Sequence, residues 1–134
     1  MKKVLLLLFL SSKIILLSGC SLAFLYTTSP IDNEEGKNMT VLFSDTANIM
    51  KEDNYYDAIL EMQSKFPDEH QSFIIIDSNE KEIVRHYGIT TFPTMLVLYG
   101  ESEQLRMVGP QSKENIITTL ENAIQLTSQN EPVS

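Results

Sequence analysis

From Thr40 onward the chain alternates short apolar runs with amphipathic stretches. Thr40-Val41-Leu42-Phe43 is a run of strand formers, closed by the polar turn Ser44-Asp45-Thr46. Between Asn48 and Phe66, the residues Tyr55, Ile59, Met62 and Phe66 recur at helical spacing, with Tyr56 and Leu60 beside them, and Pro67 ends the segment. Ser72-Phe73-Ile74-Ile75-Ile76 is continuous and β-branched, the pattern of a strand buried on both faces. Asp77-Ser78-Asn79 offers capping oxygens for a short helix, Glu80 to Tyr87, with Gly88 placed to close it. Thr94 to Tyr99 reads as a second buried strand, and Gly100 to Glu103 turns it into a shorter strand, Gln104 to Val108, so the two should form an antiparallel hairpin. Gly109-Pro110 breaks that strand, Ser112 caps the next segment, and Ile116, Leu120 and Ile124 mark the buried side of a last helix. The order β-α-β-α-β-β-α predicts an α/β domain with a mixed central β-sheet and helices on both faces.

The first forty residues follow other rules. Met1-Lys2-Lys3 is a short positive region, Val4 to Leu10 is uninterruptedly apolar, and Ile14 to Leu17 continues the run after Ser11, Ser12 and Lys13. This is the pattern of a signal peptide, residues 1–19. Leu17-Ser18-Gly19-Cys20 resembles a bacterial lipobox, in which the Cys receives a diacylglyceryl group; Cys20 is the lipidation candidate and the expected contact with the membrane. Two or more acyl chains, at about 0.8 kcal/mol per buried methylene, anchor a protein far better than one. An uncleaved helix over Val4 to Tyr26 is the alternative, with Lys13 costing roughly 2.5–3.5 kcal/mol near its middle. Either way Lys2 and Lys3 keep the N-terminus inside and put the remainder on the extracytoplasmic face of the cell membrane. Leu22 to Tyr26 is apolar enough to rest at the lipid interface, whereas Thr27 to Asn38 has Pro30, Gly36 and no hydrophobic period, as a tether does. The expected boundaries are thus 20–39 for the lipidated Cys and flexible tether, 40–126 for the domain and 127–134 for a polar tail.

Composition removes several functions. The 134 residues carry ten Lys and Arg against eighteen Asp and Glu. Three of the basic residues precede Cys20, so residues 20–134 balance seven against eighteen, or −11. Nucleic-acid binding rests on basic side chains neutralising phosphates, so no nucleic-acid partner is expected. His70 and His86 lack the partners of a zinc motif, since Glu82, four residues before His86, gives at most two ligands. They read as surface histidines, and neither a metal nor a cofactor is expected. No nucleophile elbow and no glycine-rich phosphate loop is present. The acidic residues are dispersed and read as a solvated surface, and Met39, Met50, Met62, Met95 and Met107 read as core filling.

One stretch carries a more specific signal. Ile76-Asp77, then Ile83 to Ile89 (IVRHYGI), then Thr91-Phe92-Pro93-Thr94, then Val97 to Glu101 and a later Gly109 resemble the thioredoxin-like family over residues 40–126. The resemblance implies that Pro93 follows a cis peptide bond, with an ordinary trans Pro at the strand mouth as the alternative. It also implies that Thr91 and Phe92 offer backbone groups to an extended peptide. Phe92 would be an aromatic anchor if exposed there, or a structural residue if packed inward.

The chain departs from the family where its oxidoreductases carry Cys-x-x-Cys, near Ala47 to Lys51 here. The single Cys of the sequence is Cys20. Thiol–disulfide exchange needs an attacking sulfur, so no catalytic residue and no enzyme activity is expected. The leading expectation is a membrane-anchored lipoprotein of the cell envelope, with a redox-inactive thioredoxin-like domain that binds a protein or peptide through Thr91, Phe92 and Pro93. The alternatives are a component of an envelope thiol-redox pathway whose partner supplies the cysteines, and a wall-associated structural lipoprotein.

Overall fold

The computed structural model describes residues 29–34, 36–67 and 72–128. The leader, Cys20, the apolar segment 22–26, His70 and residues 129–134 lie outside the described residues. The elements are β1 (Asn38–Ser44), a 3-10 segment (Thr46–Lys51), α1 (Asp53–Lys65), β2 (Ser72–Asp77), α2 (Lys81–His86), β3 (Thr94–Tyr99), β4 (Ser102–Val108) and α3 (Lys113–Ser128). The strands form one sheet in the order β2-β1-β3-β4. β1 runs parallel to β2, with Leu42 beside Ile75, and antiparallel to β3, with Phe43 beside Thr94. β3 and β4 form the expected hairpin, with an irregular register at Val97/Leu98.

Alternation along the strands sends side chains to two different covers. Leu42, Met95, Val97 and Met107 pack with Tyr55, Ala58, Ile59 and Met62 of α1 and with Ile116, Ile117, Leu120, Ala123 and Ile124 of α3. Each helix presents its apolar residues three and four apart, which is why both bury a continuous stripe. Lys65 reaches Glu121 at 2.9 Å and Lys113 reaches Glu61 at 2.9 Å, fastening the two helices at the surface. Such exposed pairs are screened by solvent and add little to stability. Ser112 caps α3 as the sequence implies, its Oγ accepting from Asn115 N–H at 3.2 Å.

The opposite face holds Val41, Phe43, Ile76, Leu96 and Leu98. It is covered by α2, by Tyr87, Ile89 and Phe92 that follow it, and by Ile31. Gly88, at φ +61, closes α2 in the left-handed conformation that glycine adopts at least cost. Ile31 belongs to the segment read as a tether, and the described part of that segment lies against the domain. Ile31 is 7% exposed, Ser29 and Tyr87 share a hydrogen bond between hydroxyls at 2.6 Å, and Asn33 Nδ2 donates to Gly100 O at 2.9 Å. A single Ile with two flanking polar anchors docks without any periodicity to announce it.

Two other expectations need correction. β2 is not buried on both faces. It is the edge strand, with Ser72 exposed and Ile75 49% exposed. A continuous apolar run looks the same at the centre and at the edge of a sheet. The helix expected from Asn48 is broken at Glu52 into a 3-10 segment and α1, and the Glu52 contacts described below are the reason.

Candidate functional site

Because β1 and β3 are antiparallel with Phe43 beside Thr94, the segment leaving β1 and the loop entering β3 emerge at the same end of the sheet. The entering loop is Thr91-Phe92-Pro93. The Phe92–Pro93 peptide is cis. Thr91 is exposed, Phe92 is half-buried and Pro93 is buried. Phe92 packs against the α2-side core, so of its two possible placements it takes the inward one. The buried Thr94 hydroxyl donates to Thr91 O at 2.7 Å, and Pro93 O accepts from Gly109 N–H at 2.8 Å. Gly109 O in turn accepts from the Tyr55 hydroxyl at 2.6 Å, which links the loop to the first turn of α1.

The segment leaving β1 is braced around two carboxylates. Asp45 caps the 3-10 segment, accepting from Ala47 N–H at 3.2 Å and from Asn48 Nδ2 at 2.6 Å. Glu52 is 1% exposed, and its carboxylate accepts from Asp45 N–H at 2.8 Å and from the Ser44 hydroxyl. The Ser44 and Tyr56 hydroxyls are also hydrogen-bonded, at 2.9 Å. Asp77 at the end of β2 accepts from Asn79 N–H at 2.8 Å and from the Thr46 hydroxyl at 2.8 Å, and these bonds hold its carboxyl below the usual carboxylate range. Burial, reinforced by the charge of Glu52, pushes the Tyr55 phenol up to about 12.

This bracing leaves Ile49 46% exposed and Met50 86% exposed. Met50 is therefore not core filling, unlike Met39, Met62, Met95 and Met107, which are at most 7% exposed. Ile49, Met50 and Thr91 are thus exposed at the same end of the sheet. The sequence did hold the signal for this division. Extending the α1 stripe back from Tyr55 by three residues lands on Glu52, which is buried, whereas Ile49 and Met50 fall off the stripe.

Elsewhere, His86 is exposed and meets the Tyr87 ring edge-on with centroids 4.9 Å apart. Among the described residues no group of three His, Cys, Asp or Glu is placed to hold a metal, and no helix is long and apolar enough to cross a membrane. A shallow hollow lined by Asn33, Gly36, Tyr99, Gly100, Glu101 and Ser102 opens at the opposite end of the sheet. Its polar lining is partly consumed, since Asn33 Nδ2 already donates to the carbonyls of Lys37 and Gly100.

No family model matches the chain. The Pal-related lipoprotein of Bacillus subtilis (strain 168) is 30% identical over 111 residues, covering 81% of this chain and 86% of the relative. Among solved structures, thioredoxin-2 of the malaria parasite superposes with a TM-score of 0.58 at 13% identity, covering 69% of this chain and 89% of that one. The germline-specific thioredoxin Deadhead of Drosophila melanogaster gives 0.57 at 14% identity, covering 65% and 81%. Fasciola hepatica thioredoxin gives 0.55 at 19% identity, covering 69% and 83%. The domain has the thioredoxin-like α/β fold, and at these identities the likeness is one of fold alone.

Proposed function

The chain belongs to the family of the Pal-related lipoprotein, and on that footing we propose that it is a lipid-anchored extracytoplasmic binding module. Cys20 carries the anchor, following Leu17-Ser18-Gly19 in the sequence. The domain takes no part in thiol exchange, because Cys20 is the single sulfhydryl of the chain and acylation consumes its sulfur. It instead holds an extended segment of an envelope protein against Thr91 and the apolar residues Ile49 and Met50. The observation that carries this reading is the braced, exposed Ile49-Met50 pair in the segment where a thioredoxin holds its cysteines. Anchoring close to the membrane suits such a module, since it confines the search for a partner to the same surface.

Two assays test the reading. Metabolic labelling with an alkyne palmitate should mark the wild-type protein and not Cys20→Ala, which should also leave the membrane fraction. Insulin disulfide reduction should run at the background rate with the purified protein. A C20A variant that is still labelled removes the anchor from the proposal, and turnover above background removes the thiol-free role.

A further inference from the structure

The five methionines of the described residues divide sharply. Met39, Met62, Met95 and Met107 lie in the two cores, whereas Met50 is 86% exposed on the 3-10 segment. Oxidation of a thioether requires the oxidant to reach sulfur, so susceptibility follows exposure. The segment that carries Met50 is also held in place. Asp45 caps its start, Glu52 N–H donates to Ile49 O at 2.9 Å at its end, and the Glu52 carboxylate ties it back to Asp45 N–H. The exposure of Met50 is therefore a property of the folded state and requires no local unfolding.

From this contrast we infer that Met50 is a selective oxidation site and that its sulfoxide switches off the exposed apolar surface at the Thr91 end of the sheet. A hydroperoxide transfers one oxygen to the Met50 thioether. The sulfur is oxidised by two electrons to the sulfoxide, the peroxide O–O bond breaks, and the peroxide is reduced to water or an alcohol. The product replaces a flexible apolar tip with a strongly polar S=O group, which an apolar partner side chain can no longer cover without losing hydration of that oxygen. Core packing is untouched, because Met50 belongs to neither cluster. The modification stands on the exposure contrast alone, whereas the switch rests on the binding reading of the site.

The full-length protein is treated with dilute hydrogen peroxide, and sulfoxide is quantified at each methionine by peptide mapping. Met50 should react roughly ten-fold or more faster than Met39, Met62, Met95 and Met107, and Met50→Leu should abolish the fast phase. Oxidation at similar rates at all five, or a fast phase that survives in M50L, overturns the modification site. For the switch, a photo-crosslinking residue at Thr91 reports partner capture in cells. Capture should fall after oxidation of the wild type and persist in oxidised M50L, which keeps an apolar side chain. Capture that survives complete Met50 oxidation overturns the switch. An absence of capture in the unoxidised protein overturns the binding reading and the switch together, while peptide mapping still decides the modification.

Discussion

The two faces of the sheet are covered by unlike means. On one, α1 and α3 lay down regular stripes, Tyr55, Ala58, Ile59 and Met62 against Ile116, Leu120 and Ile124. On the other, a six-residue helix is supplemented by Tyr87, Ile89, Phe92 and a single Ile31 from the segment preceding β1. The first face is built from elements that hold themselves together, and the second from pieces that each depend on the sheet. The difference decides what is left for function. Phe92 is consumed as cover on the irregular face, so the exposed apolar groups at that end of the sheet, Ile49 and Met50 of the 3-10 segment and Val108 at the end of β4, come from its neighbours and not from the loop.

The largest test of this contrast is Leu120→Ala on the regular face. Leu120 is fully buried in the core that α1 and α3 form with the sheet, so the loss should be about 2–5 kcal/mol in urea unfolding. Glu52→Ala should cost about 1–3 kcal/mol, because Asp45 N–H and the Ser44 hydroxyl lose a buried acceptor. Glu52→Gln should recover part of that loss. Ile31→Ala on the irregular face should cost about 2 kcal/mol, the low end for a buried Ile, since the segment can shift to close the gap. A penalty equal to that of Leu120→Ala would erase the distinction between the faces.

Stability at alkaline pH depends on Tyr55, which lies on the regular face. The folded state holds the Tyr55 proton more tightly than the unfolded chain does, up to about 12 against the ordinary 10.0. Its contribution is therefore complete below about pH 10 and is lost as pH rises toward 12, at about 1.4 kcal/mol per pH unit. Tyr55→Phe should be less stable at neutral pH, having lost the bond to Gly109 O, but should show a shallower decline above pH 10 in thermal melts. The smallest effect belongs to Met50→Ser, which should change stability by under about 0.5 kcal/mol, as surface substitutions do.

The regular face was legible in the sequence because period 3.6 and period 2 leave unambiguous marks. The β1, β3 and β4 strands, the α3 stripe with its Ser112 cap, and Gly88 at the end of α2 all follow from local patterns. The edge position of β2 was not legible, because Ile74-Ile75-Ile76 carries no information about how many neighbours a strand has. Neither was the docking of Ile31, which is one apolar residue between Pro30 and Asp32 and depends on Tyr87 and Gly100, each more than fifty residues away. At the candidate site, Thr91 is exposed and Pro93 follows a cis peptide at the mouth of β3. Ile49 and Met50 were hidden by the assumption that one helix ran from Asn48, when a buried Glu52 divides it.

Whether the end of the sheet bearing Ile49, Met50 and Thr91 holds a partner is decided by a photo-crosslinking residue at Met50 in the full-length protein on living cells, with a control at the exposed Asn122 of α3. A discrete adduct from Met50, absent from Asn122 and lost when Ile49→Asp is added, is the result this structure calls for. Equal labelling from both positions, or an adduct indifferent to Ile49→Asp, would contradict it.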